Sequence, residues 1–194
     1  MRLILGIGNP GEHYQSNRHN VGFMFLDYFA SKYSISFIPS RNDYYFAEHV
    51  KNTGEFCLIK PSRYVNNSGI SANQAIHHYN TSIDDLLVIH DDVHLPTGTF
   101  KVKLLGGDGG HRGVNSIIYH LFTDKFLRIR IGVGGKDFSQ ENLTDYVLSD
   151  FGKEDEKLLG DVFEKCAILV DAFIIGSKKQ LLDANSLLPN SEGS

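Results

Sequence analysis

A single α/β domain, with a central mixed but mostly parallel sheet flanked by helices on both faces, is the fold class this sequence predicts. Apolar runs of strand length alternate with segments whose apolar residues fall at helical spacing. Two of those runs, Arg2 to Gly8 and Leu86 to His90, are apolar without alternation, the mark of strands covered on both sides. The 194 residues are 41% hydrophobic, enough for one substantial core. The domain is expected over residues 1–185, and the last residues, 186–194, ending PNSEGS, read as a loose tail.

Each element has its own signal. After the first strand, Val21 to Tyr33 places Val21, Phe25, Leu26 and Phe29 on one helical face. Around Glu48 to Lys60, two short β-like runs flank Asn52-Thr53-Gly54, a hairpin signal that brings antiparallel pairing into the sheet. A helix is expected from about Gly69 to Tyr79, and the run from Leu86 to His90 ends in charge, as a strand does when it delivers polar groups at its tip. Thr99 to Leu104 and Leu127 to Gly134 read as further strands, separated by a glycine-rich turn and a helix near Val114 to Phe122. From Lys153 to Ile175, Leu158, Leu159, Val162, Phe163, Cys166, Leu169, Val170 and Phe173 form the apolar face of an amphipathic helix. There are no internal repeats.

Composition narrows the functional classes. No stretch approaches the roughly 18 apolar residues of a membrane span, and the first residues have a strand pattern rather than a signal-peptide core, so a cytoplasmic protein without a membrane partner is expected. Cys57 and Cys166 lie far apart with no C-x-x-C, which predicts buried free thiols rather than a disulfide or zinc knuckle. A net charge of −4, from 19 basic and 23 acidic residues, gives no global sign of nucleic-acid binding. A local basic face stays open, because arrangement rather than sum attracts phosphate.

Residues 6–11, GIGNPG, satisfy G-x-G-x-x-G after a strand, yet Asn9-Pro10-Gly11 is turn chemistry and Pro10 removes a donor that a dinucleotide loop needs. A nicotinamide oxidoreductase is therefore a distant reading. Asn9, His19, Asn66, Asp91, Asp92 and His111 all fall at expected element ends, which in an open α/β sheet converge on one crevice. Singly, each has an ordinary reading: His19 as a cap, Asp91 as the cap of a following turn, Asn9 as a turn residue bonding nearby backbone. Together they supply a base, an orienting carboxylate and an amide donor. No serine or cysteine sits in a nucleophile-like setting, so water is the expected nucleophile.

The run His90-Asp91-Asp92-Val93-His94 invites a metal reading, and with it a phosphohydrolase, but no H-E-x-x-H or EF-hand spacing supports it, so no metal and no cofactor are expected. His77-His78 reads as a partly exposed pair on a helix. Residues 106–113, GGDGGHRG, read either as a flexible connection or as a mobile lid over the crevice. Lys101 and Lys103 share one face of a strand by period two, as do Arg128 and Arg130 on another; such pairs are solvated faces or, beside a lid, a phosphate track.

The segments GIGNPGEHYQSNRHNVGF, KPSRYVNNSG, VIHDDVHLPTG, GGDGGHRGVNSI and RIRIGVG resemble the successive motifs of bacterial peptidyl-tRNA hydrolase, in that family's order and across almost the whole chain. The resemblance implies a monomer with a peptidyl-tRNA hydrolase-like fold. It implies hydrolysis, without metal or cofactor, of the ester joining peptide to tRNA in peptidyl-tRNAs released prematurely from ribosomes. By the same resemblance His19 is the catalytic base, Asp91 the carboxylate that orients it, and Asn9 the residue that separates peptidyl-tRNA from free aminoacyl-tRNA. Tyr14, Tyr64 and Asn66 match positions that contact the tRNA end or the peptide, and Lys103 and Arg130 match a basic face that takes phosphates of the acceptor stem and CCA end. Lys101, His111 and Arg112 complete the expected substrate-binding set. Three positions depart from the family pattern: Arg112 stands where asparagine is frequent, Val65 where methionine is usual, and His94 where an acidic residue is frequent. A non-catalytic RNA-binding protein keeping this fold is the rival that loss of His19 or Asp91 would have favoured.

Overall fold

Seven strands form one mixed sheet in a computed structural model of the chain, which describes residues 1–51 and 54–188. The elements in chain order are β1 (Arg2–Gly6), α1 (Val21–Lys32), β2 (Ile38–Pro39), β3 (Tyr44–Lys51), β4 (Gly54–Pro61), α2 (Ser68–His78), β5 (Leu86–Pro96), β6 (Phe100–Lys103), α3 (Arg112–Leu121), β7 (Leu127–Gly134), α4 (Leu143–Val147), α5 (Lys153–Ile175) and α6 (Lys178–Leu187). The strand order is β2-β3-β4-β1-β5-β7-β6. The central four strands are parallel, while β2, β3 and β6 add antiparallel edges. The expected hairpin is the β3–β4 pair, in register from Tyr44↔Pro61 to Lys51↔Gly54; the turn residues 52 and 53 lie outside the described residues.

Period two divides the central strands between two cores. Ile4, Leu87, Ile89, Ile129 and Ile131 face α1 and α5, meeting Phe25, Phe29, Val162 and Phe173. Leu3, Leu5, Ile7 and Val88 face α2 and α3, meeting Ala72, Ala75, Val114 and Ile117. Strands buried on both sides need apolar residues at every position, which is why β1 and the first half of β5 do not alternate. Each large apolar side chain so covered contributes about 1.5–3 kcal/mol. Cys57 and Cys166 are buried free thiols, as expected.

The chain leaves β1 through α1 on one face and leaves β5 through β6 and α3 on the other. A crevice opens between strand ends where such connections diverge. Gly22, in the first turn of α1, sets how closely that helix approaches: a Cβ there would lie 2.5 Å from the Ile89 carbonyl and 2.6 Å from that of Ile7. Only a residue without a side chain allows this contact, and it brings the turn before α1 onto the end of β5.

Three elements were not foreseen. β2, only two residues long, gives no readable alternation. α4 is five residues long, too short to express a period. α6 occupies Lys178–Leu187, so residues 186 and 187, expected in a loose tail, are helical; residues 189–194 lie outside the described residues. Its start carries a readable signal, Ser177-Lys-Lys-Gln180, in which Ser177 Oγ accepts the Lys179 amide at 3.2 Å and bonds Gln180 at 2.6 Å. α3 begins at Arg112, two residues early, and Phe122 follows it in the left-handed region at φ 55°.

Gly22→Ala is expected to cost about 1–3 kcal/mol by overpacking and to lower the unfolding midpoint by about 2–4 °C per kcal/mol in a chain of this length. Thermal unfolding followed by circular dichroism checks this, and a parent-like midpoint contradicts the close approach.

Candidate active site

β5 changes character where its pairing with β1 ends, and Ile89 is followed by buried His90, Asp91 and Asp92. Alternation sends Asp91 to the α1 side of the sheet and its two neighbours to the other. Asp91 is 3% exposed, and a carboxylate so desolvated needs partners. Two imidazoles supply them. His19, on a 3-10 turn at Arg18–Asn20, places Nδ1 2.9 Å from both Asp91 oxygens. His111, the N-cap of α3, places Nε2 2.8 Å from Asp91 Oδ1.

The partners fix both tautomers. His111 Nδ1 accepts the amides of Gly113 at 3.1 Å and Val114 at 3.3 Å, so it carries a lone pair and Nε2–H donates to Asp91. His19 donates to the same carboxylate through Nδ1–H, which leaves Nε2 with its lone pair on a residue that lines the crevice. The two rings lie 4.9 Å apart. Burial pushes the His19 imidazole down, but the charge and hydrogen bond of Asp91 outweigh it and the net displacement is upward; the nearby Arg112 guanidinium pulls the other way. Burial alone would raise the Asp91 carboxyl, and the two histidines hold it well below the usual carboxylate range instead.

Asn9 stands beside this group in the turn after β1. Its main chain is held by Asn20, whose Oδ1 accepts the Asn9 amide and whose Nδ2 donates to the Asn9 carbonyl, both at 2.9 Å. Its side-chain Oδ1 accepts the Val65 amide at 3.0 Å. With the oxygen committed, the side-chain NH₂ is the end left for a guest in the crevice. Asn20, directly after His19, was not among the expected site residues, and its only signal in the sequence is that adjacency.

The cleft holds about 570 Å³ and has two unlike walls. Lys103, Arg112 and Arg130 line one, and Val93, Leu143, Val147 and Leu148 the other, while Tyr64 and Asn66 also border it. Tyr64 is 59% exposed and meets Tyr14 edge-on at 6.2 Å. Tyr14 and Lys101 do not themselves line the cleft; Lys101 lies on β6 in register with Arg130. Arg130 is held by Asp92, with Nε 2.5 Å from Oδ2, so its charge is already matched.

Arg128 corrects the expectation of a shared phosphate track. Its side chain is buried over Phe126 at 4.4 Å and donates to the carbonyls of Gly107 at 2.8 Å, Asp124 at 3.0 Å and Gly106. It therefore fastens the near end of the glycine-rich loop, in which Gly106, Gly109 and Gly110 all take positive φ. Asp108 holds the far end through the Gly110 amide at 2.7 Å and Asn115 at 2.6 Å, while Arg112 is exposed.

The metal reading of His90, Asp92 and His94 meets different geometry. His90 donates Nδ1–H to the Asp91 carbonyl at 2.8 Å, and Asp92 accepts Arg130 and the His94 amide. Among the described residues, the group whose ligand atoms lie within 4.8 Å of one another is His19, Asp91 and His111, and those atoms are engaged with each other.

The family profile described as peptidyl-tRNA hydrolase matches residues 3–190. The chain is 40% identical over 174 residues to the peptidyl-tRNA hydrolase of Pseudothermotoga lettingae, covering 90% of each chain. It is 38% identical over 188 residues to that of Thermotoga petrophila, covering 95% of this chain and 97% of the other. The crystal structure of peptidyl-tRNA hydrolase from Acinetobacter baumannii superposes with a TM-score of 0.86 at 28% identity, over 95% of this chain and 92% of that one. A sequence match over nearly the full length and a superposition over 95% of the chain agree: the chain belongs to the peptidyl-tRNA hydrolase family.

Proposed function

We propose that this protein cleaves the ester between peptide and tRNA with a water molecule activated by His19, and that no covalent enzyme intermediate forms. The observation that carries the reading is the Asp91 hub: its carboxylate fixes the His19 tautomer that leaves Nε2 free to take a proton. Nε2 removes the proton from water as oxygen attacks the ester carbonyl, and Asp91 stabilises the imidazolium so formed. The same proton then passes to the departing ribose oxygen, giving free tRNA and a peptide carboxylic acid, which loses its remaining proton to solvent. The Asn66 amide, at the cleft, is the candidate donor to the developing oxyanion.

The two walls divide the substrate. The basic side, with Lys103 and Arg112 beside the Asp92-matched Arg130, suits the phosphates of the acceptor stem and CCA end, with Tyr14 and Tyr64 as nearby stacking surfaces. The apolar side suits the peptide. Asn9 offers N–H donors to a peptide carbonyl, whereas a free aminoacyl group brings an α-amino group that is itself a donor and largely charged near neutrality.

The direct test compares N-acetyl-aminoacyl-tRNA with free aminoacyl-tRNA, using purified, chelator-treated protein. The blocked ester is expected to be cleaved preferentially, with His19→Ala lowering turnover by at least about 10²-fold at nearly unchanged tRNA binding. Asn9→Ala narrows the preference between the two substrates. Activity that vanishes on chelation, or near-parent turnover in the His19 variant, contradicts the mechanism.

Arg112 gives a second expectation. Its guanidinium opposes protonation of His19, so Arg112→Gln lets the imidazole hold its proton to higher pH. Because the neutral ring is the base, the acid limb of kcat/KM moves upward in pH. Loss of one phosphate contact also flattens the plot of log affinity against log salt by about 0.7–0.9. An unmoved limb with an unchanged salt slope assigns Arg112 to neither task.

A further inference from the structure

The turn that carries His19 is fastened to the apolar wall of the cleft through its neighbour, Arg18. The Arg18 guanidinium lies over the rings of Tyr146 and Phe151, 4.9 Å from each centroid, and donates Nη1 to Asp155 Oδ2 at 3.0 Å. A planar, delocalised cation can rest on aromatic rings while its edge donates hydrogen bonds, which a compact lysine ammonium does less well. The main chain repeats the link: Arg18 N–H donates to the Ser149 carbonyl at 3.0 Å, Phe151 N–H to the Ser16 carbonyl at 3.1 Å, and Asn17 Nδ2 to Asp150 at 2.7 Å.

The other end of this link is α4. It has five residues and one buried side chain, Tyr146, whose hydroxyl donates to the Val133 carbonyl at 2.7 Å. Leu143 and Val147, on the same helix, and Leu148 after it, line the cleft. Asp155 also accepts the Gly152 amide at 3.3 Å, so the start of α5 belongs to the same assembly. So short a helix has little core of its own, and the contacts through Arg18 tie its position to that of the His19 turn.

Resting on the hydrolase reading above, we propose that Arg18 is a positioning residue that couples the α4 wall to His19, so that a peptide seated on Leu143, Val147 and Leu148 sets the base for reaction. The substrates favoured are those whose acyl residue carries an apolar side chain, and the preference is expressed in kcat rather than in binding. Arg18 touches neither water nor ester; it acts by keeping His19 against Asp91.

The test uses N-acetyl-leucyl-tRNA and N-acetyl-glycyl-tRNA with the parent and Arg18→Gln, which keeps a planar polar group without charge. The parent is expected to turn over the leucyl substrate faster. In Arg18→Gln, kcat for that substrate falls about 10–100-fold, the scale of a displaced catalytic group, KM stays nearly constant, and the leucyl-to-glycyl ratio of kcat approaches one. His19 followed by NMR titrates at lower pH in the variant, because its contact with Asp91 loosens. Asp155→Asn, which releases the far end of the clamp, moves kcat and the titration in the same direction by less, and Arg18→Lys recovers part of the loss. A uniform fall for both substrates with His19 titrating as in the parent overturns the coupling, as do parent-like kinetics. A parent that cleaves neither substrate removes the hydrolase reading, and this inference with it.

Discussion

One buried carboxylate organises the functional end of this molecule. Asp91 sits in β5 just past its last residue paired with β1, with almost no access to water, and charge there is tolerable only because two imidazole N–H groups reach it. Those groups come from opposite faces of the sheet, His19 from the turn before α1 and His111 from the cap of α3. The hub therefore ties the two helical layers together at the point where the chain connections diverge. It also settles the tautomers: His111 spends its second nitrogen on the start of α3, and His19 keeps its own for the cleft.

Around the hub, cations near the cleft have different tasks set by what each one meets. Among the described residues Arg128 bonds carbonyls and rests on a phenyl face, so it serves the glycine-rich loop, and burial lowers its readiness to stay charged. Arg130 meets Asp92 and is matched by it. Arg112, exposed at the first turn of α3, has no hydrogen bond or ion pair among the described residues and acts on His19 through space. Spacing on a strand places such residues on a common face; only their partners separate a structural cation from one available to RNA.

Much of this was legible in the sequence, for physical reasons. The strand Leu127–Gly134 and the helix Lys153–Ile175 have the expected bounds, because a run buried on both faces and a long amphipathic period leave little freedom. His19, Asp91, Asn9 and His111 could be gathered in advance, since polar residues at the ends of apolar strands have few other places to go. Other features had no such signal. α4 is too short for a period, Arg128 is indistinguishable from Arg130 by alternation, and the contacts of Arg18 join positions 18, 146, 151 and 155, which no local pattern connects. The α6 start carries a readable Ser-x-x-Gln signal, but the polar composition beyond it is that of a tail.

The central claim is that the Asp91 carboxylate both raises the proton affinity of His19 and holds it in its working tautomer. The pH dependence of kcat/KM in Asp91→Asn, measured against the parent on N-acetyl-aminoacyl-tRNA, tests it most directly. Removing the negative charge lowers the His19 pKa, so the acid limb is predicted to move to lower pH while the plateau falls by about 10²–10⁴-fold as general-base help is lost. A limb that stays in place, with a plateau near that of the parent, would contradict the account.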